Sequence, residues 1–206
     1  MNLIHKTNNT FILYPIYFLF FFLHHLSISQ VKKNNYHNFD ENANCIKKRH
    51  IKFDDRKKIF PYNKAVEILI VSFQNKNKNE IEGKEMINYF NSIKVAQEKI
   101  NENDFLELKY LTSKQIEALT DVIFNYGYQS KFYSIEDMKC YNPRNAILFL
   151  DKNKIIIGYI EICFSCKHLR SSNVNINFGT YCKQKFDIIK KIFEESGIKY
   201  GITEEE

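Results

Sequence analysis

Asn145-Ala146-Ile147-Leu148-Phe149-Leu150, then Asp151-Lys152-Asn153-Lys154, then Ile155-Ile156-Ile157-Gly158-Tyr159-Ile160-Glu161-Ile162-Cys163-Phe164. Two apolar runs around a four-residue polar turn predict a β-hairpin over about 145–164. Period-2 alternation in the second run puts Ile156, Gly158, Ile160, Ile162 and Phe164 on one face. It puts Tyr159, Glu161 and Cys163 on the other.

Upstream, Ala65 to Phe73 is β-branched and almost continuously apolar, as a strand buried on both faces would be. Gln74 to Lys84 reads as a polar loop. From Lys84 to Ile100, Met86, Phe90, Ile93 and Ile100 define a helical face. Phe105 to Leu111 alternates as a half-buried strand. Thr112 and Gln115 then fit the capping box, with Ile116, Leu119, Ile123 and Tyr126 following at helical spacing. Gly127 stands where a left-handed helix terminus is expected. Downstream of the hairpin, 167–179 reads as a polar loop. Thr180 opens a last helix with the stripe Cys182, Phe186, Ile189 and Phe193, and Gly197 ends it. The order predicts an α+β fold, a small sheet with helices packed on it.

The N-terminus predicts export. Met1 to Thr10 is polar and carries Lys6, and Phe11 to Leu23 is an unbroken apolar run of 13 residues. That length suits a signal peptide and falls short of the ~20 residues that span a bilayer. Pro15 interrupts it, and Ser27-Ile28-Ser29 supplies small residues for cleavage after Ser29. The expected organisation is a signal peptide at 1–29, a basic, mobile lead-in at 30–62 and one α+β domain at 63–206. The exported location is periplasmic or secreted. The alternative is a protein anchored in the membrane through an uncleaved N-terminal segment.

The chain's charge of +6 is local rather than general. Residues 30–62 hold nine Lys/Arg against four Asp/Glu, whereas 63–206 hold 20 of each. A basic lead-in over a neutral domain argues against nucleic-acid recognition. It leaves a protein partner in the envelope as the expected kind of interaction.

Cysteines carry the chemistry on offer. In an exported chain, Cys140, Cys163, Cys166 and Cys182 are disulfide candidates with three possible pairings. The hairpin brings Cys140 near Cys163 and Cys166, which favours a bridge between Cys140 and one of them. Cys182, on the stripe of the last helix, doubles as a small core residue. Cys45, in the lead-in, is the odd one out. Two alternatives use the same residues. Cys140, Cys163 and Cys166 with His168 or Cys182 would make a four-ligand zinc site. Cys163-Phe164-Ser165-Cys166 has the spacing of a thiol–disulfide oxidoreductase, but that chemistry wants a helix N-terminus, and the sequence after Cys166 does not look helical. Lys167 stands where covalent haem attachment needs a histidine.

His168 is the sole histidine beyond the lead-in and is expected in an exposed loop. Glu161 is expected to face solvent, and Arg144 to make a surface ion pair. Gly83-Lys84 lacks the rest of a phosphate loop, and neither G-x-S-x-G nor H-E-x-x-H occurs. No cofactor and no catalytic set is predicted.

Cys140-Tyr141-x-Pro143-Arg144-x-Ala146-Ile147, Ile162-Cys163-Phe164-x-Cys166 and Gly197-Ile198, with the Leu111-Thr112-x-x-Gln115-x-x-x-Leu119 helix before them, resemble a family of uncharacterised exported bacterial proteins. The resemblance covers roughly 105–201. It implies one small domain behind a signal peptide, with Cys140, Cys163 and Cys166 as a structural or binding unit and Cys45 incidental. It implies no activity.

Overall fold

The hairpin is the centre of the sheet. In the computed structural model, which describes residues 43–74, 83–96, 98–129 and 141–203, β5 (Asn145–Leu150) pairs antiparallel with β6 (Ile156–Cys163). The chain divides into units 1–41 and 42–206, and all described residues belong to the second. The expected signal peptide and Cys140 lie outside the described residues.

β2 (Glu67–Ser72) pairs with the other edge of β5, and β3 (Glu107–Tyr110) pairs with β2. With β7 (His168–Ser171) beyond β6, the order is β3-β2-β5-β6-β7, antiparallel throughout. One face carries Ile68, Ile70, Ile147, Phe149, Ile160 and Ile162. It packs against Leu119 and Ile123 of α3 (Ser113–Asn125) and against Phe186, Ile189 and Phe193 of α4 (Lys185–Glu195). The opposite face carries Leu69, Val71, Ala146, Leu148 and Tyr159 beneath Met86 and Ile93 of α2 (Glu85–Ala96). Helices on both faces explain why the central strands read as continuous apolar runs. The fold is α+β.

The caps follow local chemistry. Thr112 Oγ1 accepts from the Gln115 amide at 3.3 Å, and Gln115 Oε1 accepts from the Thr112 amide at 2.8 Å, which completes the capping box. At the end of α4, Gly197 is left-handed at φ 90°. Its amide donates to Glu194, while that of Ile198 reaches back to Phe193. These two bonds satisfy the last carbonyls as a Schellman motif does.

Five expectations are corrected. Gly127 does not terminate α3: the chain runs on from Asn125 into β4 (Tyr126–Tyr128), which pairs with β1 (Cys45–Lys47). Residues 167–179 are not wholly loop, because His168–Ser171 forms β7 on the edge of the sheet. An edge strand needs no apolar alternation, and this one is half exposed. Ile156 leaves the face of Ile160, since a bulge sets Leu150 opposite Ile156 and Phe149 opposite Gly158. Ile157 is the extra residue, and beyond it the alternation slips by one. Ile100 joins the core under α2 but lies past the end of that helix.

The fifth correction concerns the lead-in. From residue 43 it belongs to the fold. It supplies β1, the short helix α1 (Phe53–Arg56), a buried Tyr62 and a buried Arg56. Tyr62 packs edge-on to Phe124 and Phe149. The positive charge is partly absorbed internally, because Arg56 donates to Thr120, Asp121 and two backbone carbonyls.

Candidate functional site

β6 ends at Cys163, and the chain turns back through Phe164–Lys167, where Lys167 adopts the left-handed φ of 49°. The register then sets Cys163 opposite His168 and Glu161 opposite Arg170. Directly opposed residues share a face. Four residues with polar chemistry therefore gather on the α2 side of the sheet end.

Around Cys163 the turn supplies donors. The Cys166 amide points at its Sγ from 3.3 Å, and Ser165 Oγ lies 3.4 Å away. Cys163 is a free thiol, and burial pushes its pKa up. A buried thiol at a strand end lacks the helix N-terminus that would favour a thiolate.

Glu161 is wholly buried rather than solvent-facing. The Tyr141 hydroxyl donates to its Oε2 at 3.1 Å. Burial raises its pKa to about 7, against the lowering effects of Tyr141, Arg170 and the Met86 amide in the first turn of α2. Among the described residues, Oε1 of Glu161 finds no hydrogen-bond partner, and the same holds for Glu85 Oε2 and His168 Nδ1. Arg170 sits over Tyr141, its Cζ 3.8 Å from the ring centroid, and its Nη1 donates to the Gly83 carbonyl at 3.2 Å. Tyr141 meets His168 edge-on at 5.2 Å. His168 is half-buried on β7, not in an exposed loop. Gly83 has a positive φ of 81°, and a Cβ there would stand 2.8 Å from the Tyr141 carbonyl. Only glycine lets the approach to α2 pass so close.

The structure thus brings Cys163, Cys166, Glu161 and His168 to one end of the sheet. Cys182 is elsewhere. It lies ahead of α4 and is bonded to Cys45 across a sequence separation of 137. Cys45 is therefore not incidental, and Cys182 is neither an unpaired core residue nor available as a zinc ligand. Spacing within the domain missed this pairing because half of it lies in the lead-in. Among the described residues, no group of three His, Cys, Asp or Glu is placed to hold a metal ion. Arg144 packs against the Tyr200 ring at 5.7 Å.

Sequence reading also passed over Tyr141, which hydrogen-bonds Glu161, Arg170, which packs on the Tyr141 ring, and Lys185, which is fully buried. A signal for Lys185 existed: it sits four residues before Ile189, on the apolar stripe of the last helix. No family model, curated protein or solved structure matches the chain.

Proposed function

We propose that this chain is an exported, non-enzymatic domain with a binding or interaction role in the envelope or outside the cell. The observation that carries this reading is the Cys45–Cys182 bond, which is expected to persist in an oxidising compartment. The apolar run at Phe11 to Leu23 supports the same route. No helix among the described residues is long and apolar enough to cross a membrane. The polar groups at the sheet end favour structure over catalysis: Cys163 is held as a thiol, and Glu161 is enclosed by Tyr141 and α2.

Cell fractionation with intact mass tests this. The expected product lacks residues 1–29, leaves the cytoplasm and carries Cys45 bonded to Cys182. A membrane-bound product retaining residues 1–29 would establish the anchored alternative. A cytoplasmic product with Cys45 and Cys182 reduced would overturn export.

A second reading, zinc held by Cys140, Cys163, Cys166 and His168, draws on the turn itself and requires Cys163, Cys166 and His168 to close in from their present positions, where no three described ligands surround one point. N–H donation to Cys163 Sγ would offset the charge of a thiolate ligand. Metal analysis of the purified protein separates the two: stoichiometric zinc, lost together with Cys163→Ser, would replace the structural reading of this cluster.

A further inference from the structure

The folded lead-in builds a groove along α3. An open cavity of about 660 Å³ lies between them, within the size range of ligand sites. The lead-in lines it with Lys47, His50 and Lys52, and α3 lines it with Lys114, Glu117 and Asp121. From Lys114 to Asn125 the helix wall runs roughly 16 Å, at about 1.5 Å per residue.

Asn125, 1% exposed, fixes the opposite wall. Its carbonyl accepts from the Lys48 and Arg49 amides at 2.8 and 3.1 Å. Its side chain bonds the Ile51 backbone, accepting through Oδ1 at 2.9 Å and donating through Nδ2 at 3.1 Å. The backbone on either side of His50 is therefore pinned, and a ligand meets cations already in place.

The charges sort into two groups. Lys47 and Arg56 both engage Asp121, at 2.9 and 3.1 Å, and Lys57 and Lys58 engage Asp54 and Asp55 of α1. Lys52, Lys114 and Glu117 are exposed, and nothing among the described residues engages their side chains. Lys52 and Lys114 attract an anion. Glu117 repels a chain that offers anions alone, such as polyphosphate. As an acceptor it suits a chain that also carries hydroxyls.

We infer that this groove binds an acidic polysaccharide. The carboxylate or sulfate groups lie against Lys52 and Lys114, and a sugar hydroxyl donates to Glu117. The inference rests on the binding reading above and names a ligand class for it.

Isotope-edited NMR titration of the exported chain, with Cys45–Cys182 intact, tests it. Tetragalacturonate represents carboxylated glycans, and a chondroitin sulfate tetrasaccharide represents sulfated ones. Maltotetraose is the uncharged control, and polyphosphate is the anion without hydroxyls along its chain. The expected result is saturable shifts at His50, Lys52 and Lys114 with at least one acidic tetrasaccharide and none with maltotetraose. Lys52→Glu and Lys114→Glu should each weaken binding at least tenfold. Glu117→Ala should cut the preference over polyphosphate at least threefold. Which tetrasaccharide binds more tightly identifies the anionic group. The site is overturned if neither saturates, if polyphosphate binds as tightly, or if affinity ignores both charge reversals. A preference that Glu117→Ala leaves unchanged overturns it too. Each failure leaves export and the Cys45–Cys182 bond standing, since fractionation and mass test those separately.

Discussion

Lys185 sets its Nζ 2.9 Å from the carbonyl oxygen of Ile123, so a fully buried amine closes the C-terminal end of α3. That carbonyl is one of the last four of its helix and lacks an intrahelical donor. The Phe178 carbonyl accepts a second bond at 3.4 Å. Gly179, at φ 72°, lets the chain pass the helix end, where a Cβ would collide with the Ile123 carbonyl.

Burial lowers the Lys185 pKa from 10.5 to about 7. Between these values the unfolded chain keeps a proton that the folded chain has lost. Stability therefore rises with pH from about 7 towards 10.5, by at most ~1.4 kcal/mol per pH unit for one group. The urea midpoint should be higher at pH 9 than at pH 7. Lys185→Met should flatten that rise, and an unchanged slope in the variant would assign it to other groups.

Glu161 works in the other direction. Its pKa is raised from 4.5 to about 7, so the folded chain holds a proton that the unfolded chain releases in this window. Stability should fall as pH climbs from about 4.5 to 7. Glu161→Gln, which keeps an acceptor for Tyr141, should remove the fall. The same urea series read at pH 5 and pH 7 checks it. A fall that persists in the variant would move the effect elsewhere.

The Cys45–Cys182 bond ties β1 to the segment ahead of α4. Closing so long a loop restricts the unfolded chain, and its loss should cost roughly 2–5 kcal/mol. Cys45→Ser, Cys182→Ser and the double variant should be destabilised alike. Reductant should lower the midpoint of the parent chain and leave the variants unchanged.

Arg56 holds the lead-in onto α3. Its guanidinium donates to Thr120 at 3.1 Å, Asp121 at 3.1 Å, and the carbonyls of Ile51 at 2.6 Å and Glu117 at 3.1 Å. Arg56→Met strands these acceptors and should cost roughly 3 kcal/mol. Arg56→Lys keeps the charge without the fork and should recover only part. Denaturation gives the magnitude, and limited proteolysis should show cleavage within residues 43–62 first.

Much of the scaffold was legible because it follows from local rules. The hairpin at 145–164, the buried strand ending near Phe73, the Thr112–Gln115 box and the Gly197 stop each involve residues a few positions apart. Their periodicity or capping chemistry has one cheap solution. The misses share another cause. β7 has a polar, edge-strand sequence, so only its pairing with β6 defines it. The bulge at Ile157 is invisible to a period-2 count.

The site was legible by residue type but not by environment. Glu161, Cys163, Cys166 and His168 were singled out, yet Glu161 was read as solvent-facing. The helix that buries it comes from residues 85–96, and Tyr141 and Arg170 reach it across the sheet. The sequence by itself determined the α+β class, the central hairpin, the Thr112–Gln115 capping box and the Gly197 stop, since these rest on contacts within a few residues. Only the tertiary structure decided that Cys45 bonds to Cys182, that Glu161 and Lys185 are buried, and that Asn145 meets Tyr200 and Gly201. Those pairings join segments far apart in the chain, and side-chain burial depends on what packs over a residue from elsewhere.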